Sequence, residues 1–154
     1  MRVPEPTPLR EPDQGAVDEL VALLDLEEID QDLYRGQSTV EAEEAQHLMG
    51  GLDFGDAATQ DVRGAVLHLK AGSPRVGVTG FCMGGALTLL ALAHVPELDA
   101  GVVWYGCPPL DYLDVAKIKV PVQGHFATQD QFFAIETVDQ LQAKLIAAGV
   151  QAEL

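Results

Sequence analysis

A chain of 154 residues is long enough for one domain with a hydrophobic core, and 47% apolar with 21% charged residues excludes an intrinsically disordered protein. Nine lysines and arginines against 24 aspartates and glutamates leave a formal net charge of −15, which excludes nucleic acid as a partner. Two cysteines are too few for a disulfide framework, and no apolar run reaches the roughly 18 residues of a membrane span. The composition predicts a soluble, cytoplasmic protein that binds no membrane, its acidity serving solubility or adaptation to high salt.

The N-terminal part of the chain divides into an arm and a helix. Residues 1–13 hold four of the nine prolines and no periodic pattern, which predicts an extended or disordered arm before a domain at 14–154. From Ala16 to Glu28 apolar residues recur at helical spacing, which predicts a short amphipathic helix. A loop at Asp32 to Thr39 (DLYRGQST) then precedes a helix from about Val40 to Met49.

The rest of the chain alternates between helices and strands. The patterns predict helices from Asp56 to Lys70, Ala86 to Ala93 and Phe132 to Ala148, and strands at Arg75 to Thr79, Ala100 to Tyr105 and Val120 to Phe126, with the start of another in the final VQAEL. The stripe expected to be buried on the helix at 56–70 consists of Val62, Ala65, Val66 and Leu69. Such alternation predicts an α/β fold with a doubly wound, mostly parallel sheet.

The turn Gly80-Phe81-Cys82-Met83-Gly84-Gly85 lies between a predicted strand and an apolar helix, which is typical of a nucleophile elbow. We expect Gly80 and Gly84 to be required because a Cβ at either position would collide with neighbouring backbone. The positive end of the following helix favours the Cys82 thiolate, and the backbone N–H of Met83 can bind an oxyanion. The structural alternative is a glycine-rich turn that holds an unreactive buried cysteine.

A cysteine nucleophile needs a base and an acid that orients the base. Asp130 follows the predicted strand at 120–126 and is the best-placed acid, although it can also be a plain loop aspartate. No histidine follows Asp130; His125 precedes it, and His47, His68 and His94 fall in predicted helices, where surface or core packing is their expected role. The sequence also lacks a close-spaced metal-ligand cluster and a dinucleotide fingerprint, so no metal and no cofactor are expected.

Three segments make residues 32–153 resemble the dienelactone hydrolase family, cysteine hydrolases of the α/β-hydrolase fold that open cyclic enol esters. They are DLYRGQST at 32–39, RVGVTGFCMGGALTLLAL around Cys82 and VPVQGHFATQDQFF around Asp130. The resemblance implies that residues 14–154 form a partial α/β-hydrolase domain, an incomplete three-layer sandwich. It further implies a carboxylic ester or lactone hydrolase that acts on a small-molecule substrate.

The resemblance assigns roles to four residues of this chain. Cys82 would be the nucleophile, Asp130 the acid of a Cys-His-Asp triad, and Met83 the oxyanion donor. Arg35, in the loop that lies beside the family's active site, can pair with a substrate carboxylate; a solvated loop arginine is the alternative. Trp104 to Gly106 match an aromatic pair followed by glycine, and Cys107 is expected to be a bystander.

The chain also departs from the family pattern. The family's histidine lies beyond the acid, whereas this chain stops at Leu154, and residues 1–31 lack the family's opening strands. We therefore expect a domain truncated at both ends, with exposed sheet edges that favour a homo-oligomer. Two alternatives to a hydrolase remain, namely a non-catalytic truncated α/β-hydrolase domain and a thiol-based redox protein that would need Cys107 as resolving cysteine.

Overall fold

The computed structural model describes residues 27–154. In this part of the chain four parallel strands form one sheet in the order β1-β2-β3-β4, so each connection carries the chain to the next position in the same direction. The elements in chain order are α1 (Ala42–Gly50), α2 (Phe54–Asp56), a π-helical turn (Ala57–Val62), α3 (Arg63–Lys70), β1 (Gly77–Phe81), α4 (Met83–His94), β2 (Ala100–Trp104), 3-10 turns at Leu110–Tyr112 and Val115–Lys117, β3 (Val122–His125), α5 (Ile135–Ala147) and β4 (Ala152–Glu153). The predicted α/β class is confirmed.

Predictions for the N-terminus fall largely outside the described residues. The arm at 1–13 and most of the helix predicted at 16–28 lie in residues 1–26. The last two residues of that predicted helix, Glu27 and Glu28, are exposed and not helical.

The helix predicted from Asp56 to Lys70 is present, starts two residues earlier and contains the π-helical turn. It starts earlier because the Asp53 carboxylate accepts a hydrogen bond from the Asp56 N–H at 2.9 Å and so caps α2. Val62 and Val66, from the predicted stripe, are buried in the core, and the other two members are half-buried. This helical stretch packs against α4.

Strand β1 lies two residues further along the chain than predicted. Before it, the Val76 N–H donates to the Asp99 carboxylate at 2.8 Å, so a side chain takes the place of a strand partner. At its other end, the Cys82 N–H donates to the Trp104 carbonyl at 3.0 Å. The ladder with β2 therefore continues to the beginning of the elbow, and Cys82 is held at the carboxyl end of the sheet.

Helix α4 forms the centre of the core. Every residue from Gly85 to Ala93 is buried, and the helix packs on β1 and β2. The helix approaches the sheet closely, since a Cβ at Gly101 of β2 would meet the Leu92 side chain.

No helix within residues 27–154, including the apolar helix α4, has the length and apolar character needed to cross a bilayer.

Helix α5 starts three residues later than predicted, because residues 130–134 form a turn ahead of it. The helix ends at Ala147, close to Gly149 as predicted. Gly149 has a φ of +74°, and the Val150 N–H donates to the Leu145 carbonyl at 2.9 Å, which closes the end of the helix. The chain then enters β4, which pairs with the start of β3. The strand predicted in VQAEL is confirmed at Ala152–Glu153.

Candidate active site

Cys82 joins β1 to α4 in a backbone conformation that non-glycine residues rarely adopt. Its φ is +53° and its ψ is −117°, and the residue is exposed. The Cys82 carbonyl accepts hydrogen bonds from the N–H groups of Gly85 at 2.9 Å and Ala86 at 3.2 Å. Such strain persists only where the surroundings hold it, and it is concentrated at functional sites. The geometry is that of a nucleophile elbow.

Three glycines make this turn possible by steric necessity. A Cβ at Gly80 would overlap the Gly84 carbonyl, and one at Gly106 would overlap the Cys82 carbonyl. A Cβ at Gly85 would lie 2.9 Å from the Trp104 carbonyl oxygen. The expectation for Gly84 was wrong, because a Cβ there would meet no atom within 4 Å. What the elbow requires is close approach of the Gly84 backbone to Gly80.

Met83 is the first residue of α4, and its N–H belongs to the first helical turn, where backbone donors lack partners within the helix. This is the position predicted for the oxyanion donor. The Met83 side chain is half-buried and contacts the predicted substrate loop, with its Sδ 3.9 Å from the Tyr34 hydroxyl. The DLYRG loop therefore lies beside the elbow.

Arg35 follows Tyr34 in that loop, but its guanidinium is bound to two carboxylates. The Nη2 atom donates to Asp56 Oδ2 at 3.0 Å and to the Asp61 oxygens at 3.1 and 3.2 Å. The hydrogen bonds to Asp61 and then Asp56 raise the pKa of Arg35 above its already high value. A substrate carboxylate at Arg35 would have to compete with both aspartates.

Asp130 lies beyond β3, two strands away from Cys82. Its Oδ1 accepts hydrogen bonds from the backbone N–H groups of Phe132 at 2.7 Å and Phe133 at 3.0 Å. The carboxylate therefore stabilises the turn that leads into α5. Within residues 27–154 no hydrogen bond joins it to a histidine.

His125 ends β3 and belongs to a row of aromatic rings across the sheet. Its ring stacks on Trp104 with centroids 4.3 Å apart, and Trp104 stacks on Phe81 at 5.5 Å. Because Gly101 and Val103 face α4 and side chains alternate along a strand, this row lies on the opposite sheet face. His47, His68 and His94 lie on helices and are exposed. Of the two roles expected for them, surface and core packing, the structure shows the surface one.

The sequence reasoning missed an apolar cavity of about 530 Å³ next to the elbow. Its walls come from α2, one face of α4, the loop after β2, and the turn before α5. The lining residues are Phe54, Gly55, Met83, Ala86, Leu90, His94, Cys107, Pro108, Pro109, Tyr112 and Phe133. No local pattern indicates this cavity, because only the α4 members show a regular spacing in sequence.

Cys107, which sequence analysis treats as a bystander, is one of the buried walls of this cavity. Its Sγ donates to the Pro108 carbonyl at 3.3 Å. Burial raises the pKa of the Cys107 thiol from 9.0 to about 11. At neutral pH Cys107 is therefore a neutral thiol and a poor nucleophile.

Comparison with known proteins places this geometry in a family. A sequence model described as the dienelactone hydrolase family matches residues 29–154. Protein usf of Aquifex pyrophilus is 32% identical over 130 residues, covering 80% of this chain and 56% of that protein. A carboxymethylenebutenolidase homologue of Methylorubrum extorquens is 40% identical over 89 residues, covering 52% of this chain and 31% of the homologue.

The fold agrees with solved structures as well. A dienelactone hydrolase homologue from Klebsiella pneumoniae aligns with a TM-score of 0.64 and 26% identity, covering 79% of this chain and 57% of that one. The chain thus spans about a third to just over half the length of these relatives. Since the family match extends over most of the sequence, including the elbow at Cys82 and the segments of Arg35 and Asp130, the chain belongs to the dienelactone hydrolase family.

Proposed function

We propose that the chain is a hydrolase that cleaves a small ester or lactone through a thioester on Cys82. The observation that carries the proposal is the backbone of Cys82, which presents an exposed thiol at the carboxyl end of β1 and at the N-terminus of α4. The names of the relatives, dienelactone hydrolase and carboxymethylenebutenolidase, support hydrolysis as the reaction type.

The reaction has two steps. The Cys82 sulfur attacks the carbonyl carbon, the oxygen becomes an oxyanion near the Met83 N–H, and the C–O bond breaks, so that the alcohol leaves with the thiol proton. A water molecule then attacks the thioester, which releases the carboxylic acid and restores the thiol. With a lactone the alcohol stays attached to the acyl group, and ring opening is the first step.

The proposed acid of the site is Asp130, which would orient a histidine base. His125 is the last residue of β3, and Asp130 lies in the connection that follows, at the same carboxyl end of the sheet as Cys82. The carboxylate is bound to two backbone N–H groups, and His125 stacks on Trp104. A base-assisted reaction would therefore require the His125 ring to leave Trp104, or a histidine that these 154 residues do not supply.

That arrangement favours a second candidate function, a non-catalytic α/β-hydrolase domain. Such a domain would bind a small molecule near Cys82 and turn nothing over. Acylation of Cys82 without release of the acid is its signature, because the exposed thiol can react while no base activates water.

Both candidates are tested by intact-protein mass spectrometry with 4-nitrophenyl acetate, followed by peptide mapping. The hydrolase predicts an acetyl group on Cys82 and continued release of nitrophenolate beyond the amount of protein. Cys82→Ala should lose both signals, whereas a single stoichiometric burst would support the non-catalytic domain. Equal labelling of Cys107, or an adduct that persists in Cys82→Ala, would contradict a Cys82 thioester.

Three related expectations remain predictions: a substrate carboxylate at Arg35, a homo-oligomer and a cytoplasmic location. The free edges of β1 and β4 in the described sheet support the oligomer. A monomeric mass in light scattering at the concentration used for the activity assays would contradict the homo-oligomer.

A further inference from the structure

The apolar cavity beside the elbow is placed to hold part of a substrate. We call it the acyl cavity and define it by the eleven residues named above. Met83, Ala86, Leu90 and His94 recur at intervals of three or four residues and so share one face of α4, and Met83 directly follows Cys82. An ester carbonyl that reaches both Cys82 and the Met83 N–H would stand at the Met83 end of this cavity.

The lining of the acyl cavity is mostly apolar. Phe54, Leu90, Pro108 and Phe133 contribute carbon surface, and Cys107 contributes a thiol that is neutral at physiological pH. The groups that can carry polar contacts, His94 and Tyr112, are on exposed residues, with Tyr112 77% exposed. No lysine or arginine lines the cavity within the described part of the chain.

The charges near the elbow also disfavour a carboxylate. This is the opposite of the expectation that Arg35 pairs with a substrate carboxylate, and the charged ester in the first test below distinguishes the two. Arg35, in the loop that touches Met83, is bound to Asp56 and Asp61. The whole chain has a net charge of −15. Moving an ionised carboxylate into a cavity without a paired cation carries a large desolvation cost, whereas an alkyl or phenyl group gains by leaving water.

We propose that the acyl cavity binds the uncharged apolar acyl group of neutral esters, so that the site prefers a medium-length aliphatic or aromatic acyl group to a short or a carboxylated one. The volume of about 530 Å³ lies in the usual range of small-molecule sites. The inference rests on the proposed function for the acylation step, but the binding preference itself does not need Cys82.

The first test compares the rates at which three 4-nitrophenyl esters acylate Cys82: the acetate, the hexanoate and the singly charged adipate monoester. The adipate has the hexanoyl length with a terminal carboxylate. We expect hexanoate to react about 10- to 100-fold faster than acetate, because its acyl group places four additional methylene groups in the cavity. The adipate should lose most of that gain. An adipate rate equal to or above the hexanoate rate, or equal rates for acetate and hexanoate, would overturn the proposal.

A variant locates the preference in the cavity. Leu90→Trp fills the acyl cavity from α4, whereas the matched change Leu67→Trp places the same side chain on the surface of α3, where Leu67 is 49% exposed. We expect Leu90→Trp to slow hexanoate at least about ten times more than acetate, and Leu67→Trp to leave the ratio of the two rates unchanged. If both variants fold and have the same ratio of hexanoate to acetate rates, the acyl group does not bind in the acyl cavity.

A binding measurement separates failure of this inference from failure of the proposed function, and does not depend on the folding of Leu90→Trp. Ligand-observed NMR with Cys82→Ala should show binding of methyl hexanoate and much weaker binding of monomethyl adipate. If no ester acylates the natural protein while this preference is present, the proposed hydrolase fails and the acyl cavity stands. If Cys82 is acylated without a chain-length preference and the variant binds neither ester, the acyl cavity fails alone.

Discussion

At the scale of single residues, steric fit around Cys82 decides more than the motif does. The pattern of glycines flanking the nucleophile treats Gly80 and Gly84 alike, but only the Gly80 position would bring a Cβ into backbone atoms. Gly84 lies in α4 with open space where a side chain would begin. The two positions therefore offer a matched pair of substitutions.

We expect Gly80→Ala to lower the free energy of unfolding by roughly 1–3 kcal/mol or more, because the added methyl group forces the elbow backbone apart. Gly84→Ala should be neutral or stabilising by up to about 1 kcal/mol, since alanine favours a helix. Urea denaturation followed by circular dichroism measures both. Equal destabilisation by the two changes would show that the elbow does not have the close Gly80–Gly84 approach.

The Cys107 thiol makes a second prediction at this scale, concerning pH. Its folded pKa of about 11 is above the ordinary 9.0, so between these values the folded state binds more protons than the unfolded state. The stabilisation is complete below about pH 9 and is lost as pH rises towards 11, by up to roughly 2–3 kcal/mol. Cys107→Ala should remove this part of the loss in urea titrations at pH 8 and pH 10.5. An identical pH dependence in both proteins would contradict it.

At the scale of elements, the turn between β3 and α5 gives Asp130 a structural role alongside its proposed catalytic one. The carboxylate accepts hydrogen bonds from two backbone N–H groups and delays the start of α5 to Ile135. A side chain that caps a turn needs an acceptor oxygen but no charge, whereas an acid that orients a histidine base needs the charge.

Asp130→Asn and Asp130→Ala separate the two roles. We expect Asp130→Ala to cost about 1 kcal/mol of unfolding free energy and Asp130→Asn to retain most of that stability. If Asp130 also serves the reaction, Asp130→Asn should slow turnover of 4-nitrophenyl acetate by a factor of ten or more, of the order lost by disabling an acid–base group. A stable Asp130→Asn variant with full turnover would leave Asp130 as a capping residue only.

At the scale of the whole molecule, charge is the dominant feature. The sequence has 24 acidic and nine basic residues. Within residues 27–154 three of the basic ones form ion pairs with acids: Arg35 with both Asp56 and Asp61, Arg63 with Glu97, and Lys70 with Asp99. Exposed pairs of this kind contribute little, so repulsion among the remaining acids should outweigh them.

We therefore expect sodium chloride to stabilise the protein. Raising the concentration from about 0.01 M to about 1 M shortens the Debye length from roughly 30 Å to 3 Å and screens the repulsion among acids. The midpoint of thermal unfolding should rise over this range, most steeply at the low end. A midpoint that falls with salt would mean that the ion pairs, rather than the repulsion, control stability.

The order and type of the elements from Val40 onwards, and the location of the elbow, were predictable from the amino-acid sequence. These depend on local features: β-branched runs bounded by Gly and Pro, an apolar helix after a glycine-rich turn, and Gly149 after an amphipathic helix. Element ends shifted by a few residues where a side chain acted as a hydrogen-bond partner, as Asp99 does before β1 and Asp130 before α5.

The contacts that the residues of the site make depend on segments that are distant in sequence. Tertiary packing brings the elbow close both to the Arg35 loop and to the loop after β2, although these segments are far apart in sequence, so their contacts leave no local pattern. The structure binds Arg35 to Asp56 and Asp61, turns His125 onto Trp104, and encloses an apolar cavity against Cys107. Cys82 was identifiable from the chain alone because its elbow is a local strand–turn–helix feature, whereas the groups around it are set by packing.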